Sequence, residues 1–510
     1  MILTRAFNAP ESNGLGEDVT LDALLRRHAG RKPDGRAIAD PIDRPVFTDG
    51  RPHRLTWAEL DAEVERVAVG LHGLGLGRDA IVALQMPNTV DSVVALLATM
   101  RAGYIPSLLP LAWRRREITQ ALTRIGAKAI ITVCRAGPVP HAAMVSFAAV
   151  DAFTLRFVLA FGRSVPDGVI SIEEHLDDLR RVEPEADPVH AGKAGLHVAL
   201  ITWDATPSGF APVARTHGEV IAAGLGHMLE SGLSGADVVL TTLLGSNIAA
   251  LATGLVPCLL SGAPLILHQP FSSRVLAGAL ITEGVTHLVL PAPAIGGLAR
   301  AARLPARPLR SLAAVWRTGE APSKLAAGAA EIVDVQTFGE IGVISGARDG
   351  GNFKPVPLGA IHAPRDNRTA PSLIETAITE AGHIALRGAS VPSGNLPGEP
   401  SLPMDNEGWA DTGVPGTAAD GEIRINGARK DVARIGGLSF PRPALEEFLR
   451  LVSSTSGAAV GLQRDTLFGE ATRAGNGNRK ALANTLDAAG ASAALSPRPD
   501  MDEERQAGVA

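Results

Sequence analysis

Apolar residues recur at helical spacing most clearly between positions 55 and 74, where Leu60, Val64, Val67 and Leu71 mark one face. Thr56 and Glu59 form a T-x-x-E capping box at its start, and Gly73, Gly75 and Gly77 close it. An apolar run at 80–85 predicts a strand, Pro87-Asn88 a turn, and residues 90–101 a second helix that stops at Gly103. A strand at 105–109, a helix at 115–125 and a strand at 129–133 complete a β-α-β-α-β run. Such alternation predicts a parallel sheet with helices on both faces. Residues 135–190 mix Pro, Gly and charge without a period and read as a linking segment.

A second alternation begins at the apolar run 196–200. Residues 201–217 read as a loop between that strand and a helix that starts at the capping box of Thr216 and Glu219 and runs to about 229. A strand, a loop and then a helix N-terminus is where phosphate sites are built, because backbone N–H groups and the helix dipole converge there. This loop holds a single glycine, Gly209, and no lysine. Strands at 238–243, 264–268, 287–291, 312–316 and 333–338 alternate with helices at 247–260, 273–282 and from about 293, giving a second doubly wound unit. From 339 to about 427, short strands such as 383–387 and 422–426 sit between Gly, Pro and Asp turns and read as a small β subdomain. A basic loop at 427–437 leads to a helix at 443–451, a strand around 458–462, a helix at 479–488 and a polar tail. The expected organisation is α/β: a large region, 1–430, with subdomains of about 1–190, 191–338 and 339–430, then a small, shortened α+β domain at 431–510.

Composition narrows the function. At 510 residues and 45% hydrophobic content the chain exceeds one core, and 4% aromatics beside 55 Gly and 36 Pro favour α/β turns over an aromatic-rich barrel. A net charge of −5 supplies no electrostatic reason to bind nucleic acid or an anionic membrane. Apolar runs break before the roughly 20 residues that span a bilayer. Cys134 and Cys258 read as two buried thiols, so a cytoplasmic setting and small-molecule ligands are expected. His217, His268 and His287 show no metal-ligand spacing.

The order of motifs resembles the adenylate-forming superfamily, which includes acyl- and aryl-CoA synthetases, peptide adenylation domains and luciferases. Leu55-Thr-Trp-Ala-Glu-Leu, Gln85-Met-Pro-Asn88 and Ile125-Gly-Ala-Lys-Ala-Ile-Ile131 are similar to its N-terminal segments. Gly408-Trp-Ala-Asp-Thr-Gly413, Asp420-Gly-Glu-Ile-Arg-Ile425 and Lys430-Asp431 resemble the entry to its small C-terminal domain. Pro110-Leu-Ala-Trp-Arg-Arg115 and Phe338-Gly-Glu-Ile-Gly342 are most similar to carboxylic acid–CoA ligases. The resemblance implies ATP and Mg²⁺ as cofactors, CoA as an acceptor, and a small carboxylic acid as substrate. It also allows a homo-oligomer or a partner enzyme.

Carried over residue by residue, the resemblance places Thr206, Ser208, Gly209 and Thr216 at the phosphates. It places Gly319, Glu320, Phe338, Gly339 and Asp411 around the nucleotide, Asn247, Trp316, Thr318 and Thr337 at the acyl pocket, and Asp431 at the hinge. Several positions depart from the pattern. The loop lysine falls on Ala211 and its following Gly on Pro212; the metal-binding Glu falls on Gly342, with Glu340 displaced by two; the ribose Asp falls on Val414; and the lysine expected near the C-terminus is not found, although Gly475-Asn-Gly-Asn478 imitates its glycine context. Glu340 reads as a shifted Mg²⁺ ligand or a structural carboxylate, Asn247 as a pocket residue or a helix cap, Trp316 as pocket or core, and Asp431 as hinge or surface. Arg215 reads as a substitute cation for the loop lysine or, more simply, as solvated on the first helical turn, and Arg114-Arg-Arg116 as a solvated helix start. One group that stabilises developing charge is worth about 3 kcal/mol. The chain therefore reads as a divergent acid–CoA ligase or acyl-adenylate-forming enzyme, with a catalytically inactive acyl- or partner-binding relative as the alternative.

Overall fold

The computed structural model describes residues 18–174, 194–269, 272–305, 309–325, 330–365, 369, 372–393, 396, 404–457, 459–465, 469–474 and 479–497. The glycine-rich Gly475–Asn478 segment and the polar tail lie outside the described residues.

Two large sheets carry the N-terminal region. The first has seven strands in the order Ile170–Ser171, Phe157–Phe161, Ala129–Val133, Ile81–Leu84, Ile105–Leu108, Val198–Thr206 and Gly209–Thr216. All neighbours pair parallel except the last two, which form an antiparallel hairpin. Within 135–190, the described residues 135–174 are therefore not merely a link: helix His141–Ala149 and strands Phe157–Phe161 and Ile170–Ser171 extend the sheet, while 175–190 lie outside the described residues. Its strands lack alternation because a parallel strand buried on both faces is apolar throughout.

The second sheet has eight strands in the order Gly342–Ala347, Ile332–Phe338, Ser311–Trp316, His287–Pro291, Val239–Thr241, Leu265–Leu267, Arg36–Ala39 and Arg54–Thr56. Only its two edge pairs are antiparallel. Helices Trp57–His72, Val90–Arg101 and His217–Glu230 lie between the two sheets. Leu60, Val64 and Leu97 share one core with Leu84 and Ile131 of the first sheet and Val239 and Val335 of the second. The helix after Asn247 contains a π turn at Leu251–Leu255 before continuing as Val256–Ser261. Pro257 explains it, since its ring cannot donate and crowds the carbonyl four residues back.

A six-stranded antiparallel sheet between Val356–Pro357 and Glu422–Ile425 forms the β subdomain. The small C-terminal domain is a four-stranded sheet covered by helices Arg442–Ser456 and Arg479–Ala488. Within the segment expected to be a basic loop, residues Val432–Ile435 form a strand. The small domain docks on the large region through Ala493 N–H to Ala112 O at 2.8 Å, Arg116 N–H to Gly490 O at 3.1 Å and Ser492 Oγ to Ala112 O at 2.9 Å.

Candidate functional site at the strand ends

Residues 201–217 are not an open loop. Trp203 pairs with Pro212, Asp204 with Ala211, Ala205 with Phe210 and Thr206 with Gly209, leaving a two-residue turn at Pro207-Ser208. One glycine cannot hold a wide phosphate-wrapping loop open, and the aromatic and β-branched residues here favour pairing. Thr206 Oγ1 is 3.0 Å from Ser208 Oγ and donates to Gly209 O at 2.9 Å, so this hydroxyl closes the turn. Thr216 caps the following helix: its Oγ1 accepts from Glu219 N–H at 3.3 Å, and Glu219 Oε2 accepts from Thr216 N–H at 2.9 Å. Ser208 and Gly209 border an outer groove, and neither they nor Thr216 line the cavity at the strand ends.

That cavity, about 160 Å³, opens where both sheets meet the small domain. Asn247, Trp316, Thr318 and Thr337, expected at an acyl pocket, all line it, together with Gly339 and Glu340. Parallel strands Ser311–Trp316 and Ile332–Phe338 bring their C-terminal ends side by side. Thr337 Oγ1 donates to Trp316 O at 2.9 Å, and Thr318 Oγ1 accepts from Gly339 N–H at 2.9 Å. Trp113, Trp203 and Phe210 form an aromatic wall: Trp113 meets Trp203 edge-on at 5.7 Å and Phe210 at 4.7 Å between centroids.

Two carboxylates border the cavity. Glu340 is buried, its Oε2 accepts from Ile248 N–H at 2.9 Å, and burial, opposed by Arg215, pushes its carboxyl up to about 7. Burial likewise raises Asp204, against the pull of Arg429. Asp204 was missed in the sequence because nothing in its spacing marks it; the hairpin carries it onto Gly339. A Cβ at Gly339, which has φ +60°, would strike the Asp204 carboxylate.

Arg215 overturns its solvated reading. It lies on strand Gly209–Thr216, two residues before the helix, with an exposure of 0%, and it donates to Ser390 O at 2.9 Å and to Glu340 O. Burial lowers its pKa while Glu340 opposes that shift. The other arginine run is also engaged: Arg114 donates to Leu111 O and Trp113 O at 3.0 Å, Arg115 pairs with Asp151 at 2.8 Å, and Arg116 lies 4.0 Å over the Phe448 ring. His217, His268 and His287 are buried.

The remaining expected positions are placed as follows. Phe338 is fully buried in the core beneath the β subdomain, so its ring is not free to stack on a ligand. Asn247 caps the next helix through Oδ1, which accepts from Ala250 N–H at 2.9 Å, and it also borders the cavity. Trp316 is likewise both core and wall, its indole N–H donating to Asp334 Oδ1 at 2.9 Å. Glu320 pairs with Arg317 at 3.1 Å. Asp411 Oδ2 sits 3.1 Å from His383 Nδ1, outside the cavity lining. Asp431 holds Arg429 at 2.7 Å. Cys134 and Cys258 are free and buried.

Among the described residues no group of three or more His, Cys, Asp and Glu is arranged to hold a metal, so Glu340 alone does not make a protein-only Mg²⁺ site. No helix of the described residues is long and apolar enough to cross a membrane.

Comparison with known proteins places this architecture. Residues 25–195 match the family model "AMP-binding enzyme". The chain is 30% identical over 280 residues to salicyl-AMP ligase / salicyl-S-ArCP synthetase of Mycobacterium tuberculosis, covering 55% of this chain and 47%, about half, of that protein. It is 26% identical over 485 residues to 2-hydroxy-7-methoxy-5-methyl-1-naphthoate–CoA ligase of Streptomyces carzinostaticus, covering 88% and 85%. Among solved structures, o-succinylbenzoate CoA synthetase of Bacillus subtilis superposes with a TM-score of 0.67 at 18% identity, covering 93% of each chain. The apo structure of MbtA from Mycobacterium smegmatis gives 0.61 at 22%, covering 94% and 90%. The chain therefore carries an AMP-binding enzyme domain at residues 25–195 and has the adenylate-forming fold over nearly its whole length.

Proposed function

We propose that the protein is an ATP-dependent ligase of the acid–CoA type that takes a small aromatic carboxylic acid in the cavity between its sheets and its small domain. The observation that carries this reading is the convergence of Asn247, Trp316, Thr318, Thr337 and Glu340 on one cavity at the strand C-termini, the usual ligand position of open α/β sheets. The wall of Trp113, Trp203 and Phe210 suits a planar ring, and the relatives named above carry salicyl and naphthoate in their names. An outer groove of about 300 Å³ shares Trp203 and Phe210 with the cavity and carries Arg116 and Arg124, which suits an anionic acceptor such as CoA. ATP would supply the adenylyl group, with Mg²⁺ arriving on its phosphates; of the turn Thr318–Glu320 beside it, Thr318 lines the cavity.

The paired hairpin favours a second reading, a relative that binds the acid without activating it, because Ala211 and Pro212 stand in strand pairing where a phosphate loop would carry Lys and Gly. Diphosphate exchange into ATP over a panel of benzoate, salicylate, 4-coumarate and hydroxynaphthoate, with calorimetric titration of ATP, separates the two. Exchange with any acid supports the ligase. No exchange and no ATP binding refutes it, and acid binding by thermal shift then tests the second reading.

A further inference from the structure

A second space adjoins the cavity. Its volume is about 50 Å³, and it lies between the two large sheets, where strands Ile81–Leu84, Ile105–Leu108, Val239–Thr241 and Leu265–Leu267 end. Leu243 and Ser246 line both spaces; the remaining walls are its own. Leu84, Leu96, Leu108 and Leu267 are among them, with the two ends of the π turn, Leu251 and Leu255. Close-packed interiors keep few voids larger than a water molecule, and π turns recur beside ligand sites. A volume of this size has room for about four groups of methylene size. The space is not sealed: Gly245 at its border is exposed, and a Cβ there would meet nothing within 4 Å.

The polar groups at its border are already engaged by the backbone. Asn88 Nδ2 donates to Thr241 O at 3.3 Å and to His268 O at 3.4 Å, Ser92 Oγ donates to Thr89 O at 2.6 Å, and Thr241 Oγ1 accepts from Leu243 N–H at 3.2 Å. What remains for an occupant is aliphatic surface. We propose that this space is a specificity chamber for an apolar extension of the acid, about four carbon atoms long, which passes Leu243 and Ser246 while the ring stays in the cavity. The substrate class is then an alkyl-substituted aromatic acid. The inference rests on the acid-binding reading above for the ring, while the chamber rests on its own walls.

Titration calorimetry of benzoate and its meta- and para-ethyl, -butyl and -octyl derivatives tests it, together with thermal shift by butylbenzene, which lacks the carboxylate. Leu96→Phe and Leu255→Phe fill the chamber from two sides, and neither residue lines the cavity. In at least one of the two series, affinity is expected to rise about fourfold per methylene as far as butyl and to fall back at octyl, which the chamber cannot hold. Either substitution is expected to abolish that gain. A gain that survives in both variants overturns the chamber. Should neither variant fold, the unaltered chain decides: no gain from benzoate to butyl, or a gain that continues unbroken to octyl as on an open groove, overturns it. Where no acid binds, butylbenzene stabilising the unaltered chain but neither variant upholds the chamber and refutes the acid-binding reading. Neither acid nor butylbenzene bound refutes both.

Discussion

Glu340 gives the sharpest test of the site's electrostatics. Its carboxyl is buried, capped by Ile248 N–H, and raised from an ordinary 4.5 to about 7, chiefly by desolvation. The folded state therefore binds this proton more tightly than the unfolded chain. The associated stability is fully present below about pH 4.5 and is lost as pH rises through 7. At about 1.4 kcal/mol per pH unit, the rise from 4.5 to about 7 corresponds to roughly 3 kcal/mol between those limits. Glu340→Gln removes the titration but keeps an oxygen for Ile248 N–H, and Arg215 keeps its bond to the Glu340 backbone carbonyl. The assay is guanidinium unfolding of both chains at pH 5, 6, 7 and 8, followed by the fluorescence of Trp113, Trp203 and Trp316 beside the cavity. The unaltered chain should lose stability relative to the variant by roughly 1.4 kcal/mol per pH unit from about 5 to 7, then level off. Glu173, also raised to about 7 by burial, is common to both chains and cancels. A stability difference that stays flat from pH 5 to 8 would refute the reasoning.

Three further outcomes are expected. Arg215→Met should destabilise the chain by about 3–5 kcal/mol in equilibrium unfolding, because two carbonyl acceptors lose their donor and Glu340 loses its nearest opposing charge. Asn247→Ala should cost about 1 kcal/mol through the lost cap; salicylate affinity falling further than the melting point explains would mark Asn247 as a ligand contact too. Arg116→Ala should weaken the seating of helix Arg442–Ser456 by about 1 kcal/mol through the lost contact with Phe448, read as faster hydrogen exchange in that helix but not in the sheets.

Most elements were legible because their signals are local. The capping boxes of Thr56 and Thr216 form as the T-x-x-E spacing predicts, and helices Val90–Arg101, Arg115–Ile125 and Ser273–Thr282 keep their predicted limits. Trp316, Thr318 and Thr337 fall beside one cavity because consecutive parallel strands put their C-termini on one edge. Segment 135–190 was not, since its short buried strands carry no alternation for a periodic reading to find.

By itself, the sequence determined the alternation of strand and helix, the two doubly wound units, the β subdomain and the small terminal domain, since each follows from spacing and turn chemistry within a few residues. Tertiary structure alone decided the rest. Residues 201–217 close into a hairpin because Gly209–Thr216 finds pairing partners along Val198–Thr206. Arg215 became a buried cation because that strand, not the helix after it, sets the direction of its side chain. Asp204, Glu340 and Arg434 lie up to 230 positions apart, and no local pattern encodes their meeting. They come together only because two sheets and the small domain bring their edges to the same cavity.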